Sequence, residues 1–267
     1  MLPFHSKQKA LGFTLIEMIV TIVIIGVLGV GISNFIGNTT KGIIDTAERS
    51  QVASIALLVS ERVSRALRQA LPNSIRVDGS CLEYIPIYAG TDYVSVPVVV
   101  SDDALDVAPF SNVANGFDFS AEPLRVAVYP SSISGLYSLS NNGVISSEVS
   151  QISASVMTNA QTIQLDSNHQ FLADSPSKRL FLIDEPSMFC FDGSQLLQYS
   201  DYGFNSSFSI ASLNNESVVG SRLTNGQFNY SPSTLQRNGV VTINFNVFGD
   251  GSLVQPVNQE VQIRNVP

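Results

Sequence analysis

The sequence predicts an α+β protein, with one long N-terminal helix packed on a mainly antiparallel β-sheet head. Three observations predict it. Residues 18–36 carry no charge at all. From Ile44 to Ala70 apolar residues return at helical spacing. After Leu71 that period vanishes, and short β-branched and aromatic runs alternate with Gly, Pro, Asn and Ser.

Composition narrows the function. Hydrophobic residues make up 44% of the chain and charged residues only 13%, a balance too apolar for disorder. The net charge is -8 and the pI about 4.7, so the basic footprint of a nucleic-acid binder is missing. Two cysteines are too few for a disulfide scaffold or a thiolate zinc site.

The first element is the uncharged run, MIVTIVIIGVLGVGISNFI. As a helix it is long enough to cross a hydrocarbon core of about 30 Å. The segment ahead of it, MLPFHSKQKALG, holds Lys7 and Lys9, and the next basic residue is Lys41. Positive charge on the leading side keeps that side cytoplasmic and puts the remainder across the membrane. A cleaved secretory signal shares these ingredients, with Gly29 and Gly31 as its small residues. Against that reading, the apolar stretch exceeds the usual signal core of about 7–15 residues. It also contains Glu17, and a carboxylate in lipid is costly unless paired.

The string Gly12-Phe13-Thr14-Leu15-Ile16-Glu17, behind a short basic leader and ahead of the apolar run, resembles the class III signal of type IV prepilins. The resemblance implies cleavage by a prepilin peptidase after Gly12 and N-methylation of Phe13. A residue without a side chain at Gly12 lets the backbone approach a protease site closely. Glu17 is then implied to pair with the terminal amine of a neighbouring subunit during assembly, the condition under which a buried charge is tolerated. The implied organisation is a leader over 1–12, a transmembrane and assembly helix over 13–36, an amphipathic stalk over 37–71 and a periplasmic β-rich head over 72–267. The implied partners are the peptidase, other minor pilins, the major pilin and the inner membrane, with the pilus as final location. Nucleic acid is not an expected partner.

The stalk follows from its period. Ile44, Ala47, Val52, Ile55, Val59, Val63, Ala66 and Ala70 fall mostly three or four apart, and Pro72-Asn73 stops the helix. Bulk subunits of the family often carry a proline where this chain has Asn34. Gly26, Gly29, Gly31 and Gly37 supply a weakened stretch instead. This departure points to a minor pilin or a secretion pseudopilin. Arg62, Arg65 and Arg68 read as cations complementing a helix C-terminus, with a DNA-binding stripe as the alternative.

The head carries a charge of about -12 by the same counting of residues 77–267. Strands are predicted at Cys81 to Tyr88, Tyr93 to Val100, Leu124 to Tyr129, Leu180 to Ile183, Gln195 to Tyr199, Gln227 to Tyr230 and Val240 to Phe248. Asp192-Gly193, Asn225-Gly226 and Asp250-Gly251 read as hairpin turns. The serine-dense stretch 131–159 reads as a β-rich insertion or long surface loop. Cys81 and Cys190 pair naturally as a disulfide in an oxidising compartment, and two separate buried thiols are the alternative.

Further resemblance lies in Ser64 to Val77 and Cys81 to Ile87, which are similar to the junction and first head strand of minor pilins. Arg179 to Tyr199 resembles the subgroup MshO of the mannose-sensitive haemagglutinin pilus. Catalysis is not expected. His169 sits in what reads as a polar loop, Asp166-Ser167-Asn168-His169, and no G-x-S-x-G elbow occurs. Asp102, Asp103 and Asp106 suit calcium by type but not by spacing, and read as a solvated acidic loop. Asp184-Glu185 reads as a turn, and no cofactor fingerprint is present. The expected function is structural, in starting or completing a pilus. A type II secretion pseudopilin and a tip adhesin are the alternatives.

Overall fold

The structure is a computed structural model. It describes residues 12–111, 113, 123–133, 135–139, 143–157, 159–209, 215–233 and 237–263. The leader up to residue 11, with Lys7 and Lys9, lies outside the described residues. Among the described residues one helix, α1, runs over Leu15–Arg68, and fourteen strands follow it. The chain divides into two compact units, Met1–Gln51 and Val52–Pro267.

In the first unit every described residue but Glu48 is exposed. The helix is unbroken through Gly26, Gly29, Gly31 and Gly37, so the expected weakening does not melt it. A window of this helix has mean hydropathy 2.7 and no buried residue, which is long and apolar enough to cross a membrane. Ile44 and Ala47, expected on the core-facing side, are exposed here.

In the second unit the remainder of α1 lies on sheet. Val52, Val59, Val63 and Leu67 are buried against Leu82, Phe189, Phe228, Ile243 and Phe245. Leu67 was not among the residues assigned to this face, yet it follows Val63 at the four-residue step. The helix ends at Arg68 rather than Leu71. Gln69 N bonds to Ala66 O at 3.1 Å and Ala70 N to Leu67 O at 3.2 Å, a tightened last turn. Beyond it the backbone turns to sheet pairing, with Leu71 N on Ile85 O and Ile87 N on Gln69 O. Pro72 disfavours helical geometry at Leu71, and the 85–87 segment takes up the freed groups.

Three sheets make up the rest. A five-stranded sheet has the order β1 (Arg76–Asp78), β2 (Cys81–Tyr84), β9 (Ser187–Asp192), β10 (Gln195–Tyr199), β11 (Glu216–Ser221). A three-stranded sheet joins β12 (Leu223–Ser231), β13 (Gly239–Phe248) and β14 (Val254–Ile263). The other six strands close a barrel: β3 (Ile87–Ser95), β4 (Asp102–Val107), β7 (Gln161–His169), β6 (Ile145–Ala154), β5 (Arg125–Val128) and β8 (Arg179–Ile183). Among the described residues every pairing between these strands is antiparallel.

Several expectations are corrected by this topology. The run from Cys81 to Tyr88 is two strands in different sheets, because Pro86 has no N–H to continue the first ladder. The strand expected through Val100 stops at Ser95, ahead of Pro97. The acidic cluster is strand β4: Leu105 and Val107 point into the barrel core, and Asp106 accepts bonds from Ser155 and Thr162 hydroxyls. The second half of the serine-dense stretch is β6, in line with the β-rich alternative; it buries Ile145, Ser146, Val149 and Ile152 and leaves Ser150 exposed. Asn225-Gly226 is a bulge within β12, not a hairpin turn. The register shifts between Thr224 and Gln227, and Asn225 has φ 55. A Cβ on Gly226 would lie 2.1 Å from the Phe191 ring, so this position needs glycine for a close approach. Asp192-Gly193 does form the expected hairpin, with Asp192 opposite Gln195.

Candidate processing and assembly site

The N-terminal residues build the site from local chemistry. Gly12, Phe13 and Thr14 precede the helix, and Leu15 opens it. Among the described residues, a Cβ on Gly12 would meet nothing within 4 Å, and Phe13 is 78% exposed. The Gly12–Phe13 bond is therefore open to an enzyme.

Thr14 and Glu17 form a reciprocal capping box. Thr14 N and Thr14 Oγ1 both donate to Glu17 Oε2, at 3.1 and 3.0 Å, and Glu17 N donates to Thr14 Oγ1 at 3.4 Å. The arrangement supplies partners for backbone donors that a helix start leaves orphaned. It also holds a negative group at the positive end of the helix dipole. Thr14 was not singled out from the sequence. Its signal was present all the same: threonine, two residues, then glutamate ahead of an apolar run.

Cys81 and Cys190 form a disulfide across 109 positions. They are direct partners in the pairing of β2 with β9, with Cα atoms 4.1 Å apart. The neighbouring bond from Phe191 N to Ser80 O makes theirs the narrow, non-hydrogen-bonded type of pair, where cross-strand bonding is closest. Constraining a loop of this length stabilises the folded head by about 4–5 kcal/mol in the chain-entropy account.

Other candidate residues do not converge. Arg62 donates to Gln198 Oε1 at 3.2 Å, and Arg65 pairs with Glu61 within the helix. Glu185 accepts from Gly203 N at 3.0 Å, and Asp184 from Glu185 N. Among the described residues no three His, Cys, Asp or Glu side chains are placed to hold a metal. His169 is the last residue of β7 rather than part of a loop. Its ring meets Phe171 edge-on at 4.6 Å, and its Nε2 is buried with no hydrogen-bond partner among the described residues.

Burial pushes the His169 imidazole below its ordinary pKa. The unfolded chain then takes up a proton near pH 6.5 that the folded chain resists. Stability is expected to fall as the pH drops through that value. His169→Gln should flatten this part of the profile, as read by the difference in urea midpoint between about pH 5 and about pH 8.

Residues 7–33 match the family model described as the prokaryotic N-terminal methylation motif. The chain carries a type IV prepilin-like N-terminus. The motif covers the capping box, the open Gly12–Phe13 bond and most of the apolar run. It implies processing by a prepilin peptidase and a pilus-assembly context. With the exposed apolar helix, this prepilin-like start fits anchoring in the inner membrane. No curated protein and no solved structure matches the chain.

Proposed function

We propose that the protein is a structural minor pilin, not an enzyme, that helps initiate or complete a type IV pilus. The observation that carries this reading is the join of an open Gly12–Phe13 bond to an apolar helix whose single acidic residue before Asp45 is Glu17. In this reading the peptidase cuts after Gly12 and methylates Phe13. The apolar half of α1 holds the subunit in the inner membrane with the β-rich head in the periplasm. Assembly then moves the subunit into the filament beside other minor pilins and the major pilin. Arg179 to Tyr199, the β8 to β10 segment, favours the mannose-sensitive haemagglutinin class and its subgroup MshO. Asn34, in place of a family proline, supports a minor rather than a bulk subunit.

Glu17 is exposed in the isolated chain, and among the described residues its carboxylate is held by Thr14. In a packed helix bundle it acquires a neighbour's terminal amine. Glu17→Ala is expected to leave cleavage intact and to reduce assembled pili to a small fraction of wild type. Counting surface pili by microscopy, beside an immunoblot for the mature form, checks both halves. Deleting the gene separates the classes: lost piliation supports a pilin, and lost exoprotein secretion with normal pili supports a type II secretion pseudopilin. Retention of the chain on a glycan surface through its head supports the tip-adhesin alternative.

A further inference from the structure

The disulfide lies under a strap. Cys81 and Cys190 are 2% and 3% exposed. They cluster with Met188, and Tyr199, Tyr202 and Phe208 pack against that cluster. Residues 200–209, between β10 and β11, have no strand pairing of their own. Side chains from the five-stranded sheet hold them instead.

The key is an ion pair buried in that sheet. Arg76 on β1 pairs with Glu83 on β2, whose side chain is 1% exposed. The remaining donors of the Arg76 fork reach the strap backbone: Nη1 to Ser206 O at 3.0 Å and Nη2 to Asn205 O at 2.6 Å. The second Glu83 oxygen accepts from Tyr202 OH at 2.8 Å. Gly203 N donates to Glu185 at 3.0 Å. One guanidinium and one carboxylate therefore tie the strap at three points and close Tyr202 and Phe208 over the sulfurs.

We propose that residues 200–208 are a seal over the Cys81–Cys190 bond, keyed by Arg76 and Glu83. Thiols reach the sulfurs only when the strap lifts, and this local opening does not require the head to unfold. The exchange itself is ordinary. A thiolate of a dithiol attacks one sulfur, the S–S bond breaks, and the other cysteine leaves as a thiolate that takes a proton. The second thiol of the reductant then attacks the mixed disulfide, closes the reductant's own disulfide and releases the second cysteine. In a compartment where thiol–disulfide exchange is active, the seal keeps this bond from being reopened.

The test is the rate of reduction of the full chain in detergent by dithiothreitol under native conditions, read by alkylation of freed thiols and mass. Tyr202→Phe removes one tie and should speed reduction at least about tenfold, the usual scale for one hydrogen bond to a charged group. Phe208→Ala removes cover and should speed it more. Val107→Ala empties space in the barrel, away from the strap, and controls for general destabilisation. Its rate should stay near wild type. The rates should also be flat across low urea, as expected of a local opening. Equal rates for wild type and both strap variants overturn the proposal. So does a rise in the Val107→Ala variant as large as theirs, or a steep urea dependence, since each marks reduction through global unfolding.

Discussion

Replacing Gly12 with a bulky residue such as leucine is expected to leave the uncleaved precursor in the membrane. The structure sharpens this expectation. A Cβ at Gly12 meets nothing within 4 Å, and the residue is outside α1, so the substitution does not disturb the fold. Any loss of processing then reports on the fit of the backbone to a protease and not on misfolding. Intact mass of the membrane-extracted protein gives the readout. Wild type should show loss of residues 1–12 and one added methyl group on Phe13, and the variant should show neither. A variant that matures to the wild-type mass would contradict the processing assignment, because the new side chain would have been accepted where none is expected to fit.

The second large effect lies in the head. Arg76→Met should destabilise it by about 3–5 kcal/mol, the cost of leaving a buried charge without its partner. Glu83 is 1% exposed and, among the described residues, would keep the Tyr202 hydroxyl as its side-chain donor. Asn205 O and Ser206 O would lose their donors as well. Burial and the nearby Glu83 charge hold the Tyr202 phenol far above its ordinary pKa, so it remains a donor and cannot replace a cation. The double variant Arg76→Met, Glu83→Met should recover part of the loss, since it removes the orphaned carboxylate together with its partner. Denaturant midpoints of the full chain in detergent, followed by tyrosine ellipticity, measure both. Equal stability of the single and double variants would show that the ion pair is not what holds this region.

The two regions differ in how much of them a reader of the sequence can see. Gly12, Phe13 and Glu17 are legible because processing and capping act on neighbours in the chain. The Thr14–Glu17 box is equally local and was overlooked, although its spacing is visible. The core face of α1 was readable from Val52 onward by its period. The same period misassigned Ile44 and Ala47, since periodicity gives a face but not what covers it. Strands with a continuous apolar run, such as β8, or with strict alternation, such as β13, were found. Of the strands with polar residues between their buried ones, β4 was read as a solvated loop, and β6 lay in a stretch left open between a β-rich insertion and a long loop. There the inward residues alone decide, and three inward positions among many serines make a weak pattern.

By itself, the sequence determined the processing string, the apolar helix, the α+β class and the acidity of the head. Each rests on neighbours in the chain or on composition. Only the tertiary structure decided that Cys81 faces Cys190 across a narrow pair, that Pro86 divides two sheets, that six strands close a barrel, and that Arg76 reaches Asn205 and Ser206. These contacts join residues from tens to more than a hundred positions apart. Their energy depends on burial and register, which exist only once the chain has folded.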